Sequence, residues 1–235
     1  MGRHFEVRAA AMAKSGARKS ALYARASREI YMAAKSGIPD PNNNLALRSA
    51  IDKFKGQSVP RDVIDRAIKK AQGGDTETYT AGRYEAFGPG NSFLIIDSLT
   101  DNANRAFVEI RTAVTKKSGH MGTVNYNFTE AGILVFDFED KDAIEEALVL
   151  GDVDVREISL EDGVMEVLVE PTSFGQAKDL LNSLGIHEFK VAEIQMLAND
   201  AINLSEEDQA LFQELLDVLD ELQDVQNVFH NVNLN

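Results

Sequence analysis

The sequence predicts an α+β protein, with three short helices at the N-terminus followed by two layered α/β sandwich domains, one inserted in the other. Three observations predict it. Residues 1–78 have helical periodicity and a basic excess. Residues 132–197 alternate strand and helix in the order β-α-β-β-α-β. The segment 79–131 is short of one helix and one strand, and 205–235 supplies one of each.

The elements follow in chain order. From Arg18 to Lys35 no Gly or Pro intervenes. At about 100° per residue, with Arg18 as zero, Leu22, Ala26, Ile30 and Ala33 fall between roughly 40° and 120°, and Lys14, Arg18, Arg25, Arg28 and Lys35 between roughly −100° and 0°. One apolar face therefore lies beside one basic face, with Lys19 the exception. Gly37-Ile38-Pro39-Asp40-Pro41 ends the helix. Leu47, Ile51 and Phe54, at i, i+4 and i+7, mark a second helix. Pro60 opens a third, with Val63, Ile64, Ala67, Ile68 and Ala71 as its stripe, Lys69 and Lys70 near its C-terminal dipole and Gly73-Gly74 as its stop. Such small apolar faces predict a thin core and a loosely docked module.

Beyond Asp75, Tyr84 to Phe87 and Phe93 to Leu99 read as strands joined by the turn Gly88-Pro89-Gly90. Asn102 to Lys117 reads as a helix with Ala106, Ile110, Ala113 and Val114 inward. Val124 to Phe128 alternates like a half-buried strand. In 132–204, strands at 133–138, 153–158, 164–169 and 189–197 and helices at 141–150 and 174–184 give the ferredoxin-like split order. Ser205 with Asp208 opens a last helix with Leu211, Leu215, Leu219 and Leu222 on one stripe, and Val225 to Val232 is a final strand. The expected domains are 1–78, 79–131 with 205–235, and the inserted 132–204, the last two both read as ferredoxin-like.

Charge narrows the function. The chain has 24 Lys+Arg and 38 Asp+Glu, net −14, a balance unlike that of a nucleic-acid binder. Residues 1–78, however, hold 15 basic and 8 acidic side chains, net +7, and 79–235 hold 9 and 30, net −21. This split reads as a basic working module on an acidic body. Absence of Cys excludes disulfides, thiolate metal sites and Cys catalysis, and fits a reducing compartment. No apolar run approaches the ~20 residues of a membrane span and no apolar leader is evident, so a cytoplasmic location without membrane contact is expected; the sequons at Asn127 and Asn203 are chance matches.

No catalytic constellation emerges. The four His residues lack ligand spacing, Gly88-Pro89-Gly90 lacks the phosphate-loop pattern, and the pairs Glu145-Glu146 and Glu206-Glu207 read as solvated. No metal, cofactor, small-molecule substrate or enzymatic activity is expected. The candidates are basic. Arg3, Lys14, Arg18, Lys19, Arg25 and Arg28 are expected to contact phosphates, with Lys53, Lys55, Arg61, Arg66, Lys69 and Lys70 extending that surface. No aromatic interleaving or helix-turn-helix turn points to base reading.

Several long motifs occur in order: Ser27-Arg28-Glu29-Ile30; Pro39-Asp40-Pro41; Asp65-Arg66-Ala67-Ile68-Lys69-Lys70; Arg83-Tyr84-Glu85; Leu99-Thr100-Asp101-Asn102 with Asn104-Arg105; and Asp224-Val225-Gln226-Asn227-Val228 with His230-Asn231. Through them the chain resembles the YebC/PmpR family, nearest its YeeN-like branch, over almost its whole length. The resemblance implies three domains and a cytoplasmic, non-enzymatic regulator of gene expression that binds DNA. The alternative it implies is a translation factor on the ribosome, bound to ribosomal RNA. The family's usual opening Trp is replaced here, in Gly2-Arg3-His4-Phe5, and its glycine-rich loop is shortened to Gly119-His120-Met121-Gly122-Thr123-Val124. Asn102, Asn104 and Arg105 are read as holding the loop beside Gly88-Pro89-Gly90, with N-capping and bracing as the equal alternative to direct binding.

Overall fold

The protein is described as a computed structural model covering residues 16–73 and 77–234. Helix α1 (Gly16–Lys35), α2 (Leu45–Gly56) and α3 (Arg61–Gln72) form the N-terminal module. Their apolar stripes meet as the periodicity requires: Ala26, Ile30, Leu47, Ile51, Phe54, Ile64 and Ala67 are buried in one cluster. Asn44 fixes the α1–α2 corner. Its Oδ1 accepts from Leu47 N at 3.0 Å, capping α2, while its Nδ2 donates to Ala33 O at 2.9 Å and Ile38 O at 3.0 Å.

The next domain begins with β1 (Thr80–Phe87) and β2 (Phe93–Thr100), paired antiparallel from Thr80↔Thr100 to Phe87↔Phe93. Their turn includes a short 3-10 segment, Pro89–Asn91, with Gly90 at φ 62°. A side chain at Gly90 would be strained and would bring its Cβ within 2.6 Å of Leu204 Cδ2. Helix α4 (Ala103–Lys116) buries Ala106, Ile110, Ala113 and Val114, and a two-residue strand, β3 (His120–Met121), pairs with the end of β1. From the far end of the chain, α7 (Glu206–Glu221) packs on α4, and β8 (Val225–His230) pairs with β2. Phe212, Leu215, Leu219 and Val225 join Leu94, Ile96 and Ile110 in the core.

The 130–197 unit is compact in itself. It comprises most of β4 (Phe128–Asp137), then α5 (Lys141–Leu150), β5 (Val155–Glu161), β6 (Val164–Val169), α6 (Phe174–Ser183) and β7 (Val191–Ala198). Strand order β5-β6-β4-β7 is the ferredoxin-like winding, with Leu134, Phe136, Ile144, Leu148, Val167 and Leu181 between sheet and helices. The other compact unit, 11–129 with 198–235, contains the helical module and the first sheet together.

Two details depart from the sequence reading. The first sheet is four-stranded and backed by two helices, but its order is β3-β1-β2-β8. The hairpin β1–β2 occupies the centre: α4 crosses from β2 to β3 over β1, which is one split βαβ unit, but β8 pairs with β2 without completing a second, so the winding differs from that of the other sheet. Residues 124–127 are also not a strand, which starts only at Phe128. The Glu85 carboxylate accepts from the amides of Val124 and Asn125, both at 2.7 Å, and a 3-10 turn follows at Asn125–Asn127. The alternation reflects the burial of Val124 and Phe128 at the two ends of that turn, with Tyr126 exposed between them.

Candidate nucleic-acid interface

Three arginines of the basic stripe of α1 face inward, while Lys35 at its end is exposed. Arg18 pairs with Asp217 and lies 3.8 Å from Asp220. Arg25 Nη1 donates to Asp220 Oδ1 at 2.8 Å, and its Nη2 donates to the Asp220 carbonyl. Arg28 Nη1 lies 2.7 Å from Asp224 Oδ1 and donates to the Gln223 carbonyl at 2.6 Å, while its guanidinium sits 5.6 Å from the Tyr79 ring centroid. The three arginine side chains are only 10%, 9% and 13% exposed. Ala21, one turn after Arg18, is fully buried.

The seam is thus ionic. The buried residues of the helical cluster and those of the sheet domain form two separate cores. Carboxylates and guanidinium groups, with carbonyls filling in, join α1 to α7. Nine acids and no Lys or Arg occur in 198–235, which makes this segment the internal counter-charge. The helical module is therefore held by three nearly buried arginines paired with aspartates, where small apolar faces alone predicted loose docking.

Asp224 is the hub. It is 3% exposed and accepts from Thr100 Oγ1 at 2.9 Å and Arg105 Nη2 at 2.8 Å, beside its pair with Arg28. Arg105 also binds Asp101 at 2.7 Å and holds that carboxyl below its ordinary range; the two carboxylates push the Arg105 guanidinium pKa upward. Asn102 caps α4, its Oδ1 accepting from Arg105 N at 3.0 Å, and Asn104 is exposed. These three residues lie at the C-terminal end of β2, whereas Gly88-Pro89-Gly90 precedes its N-terminal end, so they do not brace that turn. The turn packs instead against Leu204 and Asp208.

The remaining candidates divide by exposure. Lys53 is held by Glu29 at 3.0 Å and Lys70 by Glu77 at 2.6 Å. Lys70 and the Tyr79 hydroxyl, which donates to Glu77 at 2.5 Å, lower the Glu77 pKa; burial and that same hydrogen bond push the Tyr79 phenol up to about 12. Lys19, Lys55 and Lys69 are exposed. Arg61 and Arg66 are 90% and 72% exposed and meet Asp65 at 3.6 Å and Asp62 at 2.7 Å along α3. Such surface pairs are worth ~0–1 kcal/mol, so a phosphate can replace the carboxylate at little cost. Arg3 and Lys14 lie outside the described residues.

Sequence reasoning missed Asp217, Asp220 and Asp224 as partners. The available signal was the i, i+3 spacing of the first two on the acid-only C-terminal segment. It also treated the acidic body as uniform. Residues 130–197 hold 4 basic and 17 acidic residues, net −13, nearly the whole charge of the chain. Among the described residues no His/Asp/Glu cluster has metal-binding geometry, and no helix is long and apolar enough to cross a membrane.

Comparison with known proteins covers both parts of the chain. The family model described as the TACO1/YebC protein N-terminal domain matches residues 3–74, and that described as the TACO1/YebC second and third domain matches 79–232. A protein of Mesoplasma florum is 46% identical over all of both chains and bears the name "Probable transcriptional regulatory protein". Proteins so named in Alcanivorax borkumensis and a Marinomonas species are also 46% identical, covering 100% of both chains and 98% and 99% of the two chains respectively. The crystal structure of a conserved hypothetical protein from Aquifex aeolicus superposes with a TM-score of 0.75 at 28% identity, covering 94% of this chain and 93% of that one.

Proposed function

The chain belongs to the TACO1/YebC family, and on that premise we propose that it is a non-enzymatic regulator of gene expression that binds nucleic acid, acting as a DNA-binding transcriptional regulator. The names of its full-length relatives support a regulatory role. The observation that carries the nucleic-acid reading is the exposure of Lys19, Lys55, Arg61, Arg66 and Lys69 on one small helical module. These are point and fork donors held on rigid helices, suited to backbone phosphate. The acidic 130–197 unit repels the same ligand, which restricts contact to the helical module. Aromatic residues do not interleave with these cations, so base stacking is not the mode, and preference for a promoter would come through duplex shape and deformability.

Binding of the intact protein to promoter duplex, followed by fluorescence anisotropy across a salt series, tests the reading. The expected result is saturable, salt-dependent binding that prefers promoter over scrambled duplex. Affinity no better than the non-specific ~10⁻⁴–10⁻⁶ M and indifferent to sequence would defeat a promoter-reading role. Crosslinking in cells, with sequencing of the attached nucleic acid, decides the polymer. Recovery of DNA is expected, and recovery of ribosomal RNA alone assigns the same cations to a ribosome-bound translation factor.

A further inference from the structure

We infer that Arg18, Arg25 and Arg28 form a second, masked phosphate site, closed in this structure by the chain's own carboxylates Asp217, Asp220 and Asp224. The inference rests on the nucleic-acid reading above and adds to it an internal competitor. The three arginines line one face of α1, and each meets an aspartate at the successive positions 217, 220 and 224. A spaced row of carboxylates presented to a row of guanidinium groups is what a phosphodiester strand also presents. The C-terminal segment acts as an internal polyanion.

Three features make the seam exchangeable. First, the helical cluster and the sheet-domain cluster are separate cores, so opening the seam parts charges and Ala21 without splitting a shared core. Second, Arg25 Nε is buried without a hydrogen-bond partner, so Asp220 satisfies this guanidinium only in part. A phosphate can satisfy it better, with oxygens for both Nε and Nη. Third, Asp217 and Asp220 keep side-chain exposures of 43% and 29%, so on opening they reach water without long travel. Lys19, next to Arg18 and exposed, gives a polyanion a foothold beside the closed row. Ligand binding to the open form then draws the equilibrium toward it by mass action.

The test compares the intact protein with its Asp217→Asn/Asp220→Asn variant on duplex DNA. Freeing Arg18 and Arg25 should tighten binding about tenfold and steepen the salt slope by about two. A Glu206→Gln/Glu207→Gln variant changes the net charge equally on exposed residues of the same helix and should tighten binding much less. A second measurement needs no seam residue changed. The chain has no Cys, so dyes placed at Ser20→Cys and Glu221→Cys, both exposed, report the α1–α7 separation by energy transfer. Saturating duplex should lower the transfer, and this decides the matter if the aspartate variant fails to fold. Masking is overturned if transfer stays unchanged at saturation, or if a folded Asp217→Asn/Asp220→Asn protein binds no tighter than the Glu206/Glu207 control. If wild-type binding is lost on Arg61→Gln/Arg66→Gln/Lys69→Gln but those results stand, the masked site fails and the proposed function survives. No binding by either protein overturns both.

Discussion

The inner face of α1 and the outer face of α3 contain the same kind of residue in the same module and put it to opposite uses. On α1, Arg18, Arg25 and Arg28 are nearly buried against aspartates about 195 residues away in the sequence. On α3, Arg61 and Arg66 stand in solvent beside acids four residues away. A buried charge with its partner removed is costly, whereas an exposed one is screened and replaceable. The sign of a basic helix therefore does not say what answers it. The first set holds the module to the body, and the second is open to an external anion.

The contrast should break most visibly at Asp224. Asp224→Ala leaves Arg28 facing a buried void and takes one of two carboxylates from Arg105, and denaturant unfolding should show a loss of about 3–5 kcal/mol. A loss below about 1 kcal/mol would mean that the seam does not hold the module. Next in size is Arg25→Ala, which leaves Asp220 to Arg18 at 3.8 Å and opens a gap beside Ala21; about 2–3 kcal/mol should disappear. Arg66→Ala, the matched change on α3, should alter stability by no more than about 0.5 kcal/mol while weakening duplex binding. Equal stability costs for these two arginines would erase the distinction.

The smallest expected effect concerns the edge of the seam, where the Arg28 guanidinium sits over Tyr79. Burial and the Glu77 hydrogen bond raise the Tyr79 phenol from 10.0 to about 12, favouring its protonated form in the folded protein. Its contribution to stability is therefore complete below pH 10 and fades as pH rises toward 12. An ultraviolet titration should find a tyrosine step near pH 12, and Tyr79→Phe should remove it.

Much of the fold could be read locally. The i, i+4, i+7 series Leu47, Ile51, Phe54 and the stripe Ala106, Ile110, Ala113, Val114 are buried as their spacing requires. What escaped was set by distant partners. The two-residue β3 has too few side chains to show a period, and it exists because β1 offers an edge. The turn at 125–127 is made by the carboxylate of Glu85, some 40 residues earlier. The candidate site followed the same rule. Periodicity placed the α1 arginines on one arc, and it contains no information about α7 lying against that arc. The exposed set on α3 was legible because its neighbours are its own helix.

Contact of the helical module's outward cations with backbone phosphate is read out by the salt dependence of duplex binding for the intact protein and for Lys55→Gln/Arg61→Gln/Arg66→Gln/Lys69→Gln. With about one counterion released per contacted phosphate, the quadruple variant should lose most of its affinity, and its slope should flatten by about three to four. An unchanged slope, or wild-type binding that salt does not weaken, contradicts the account.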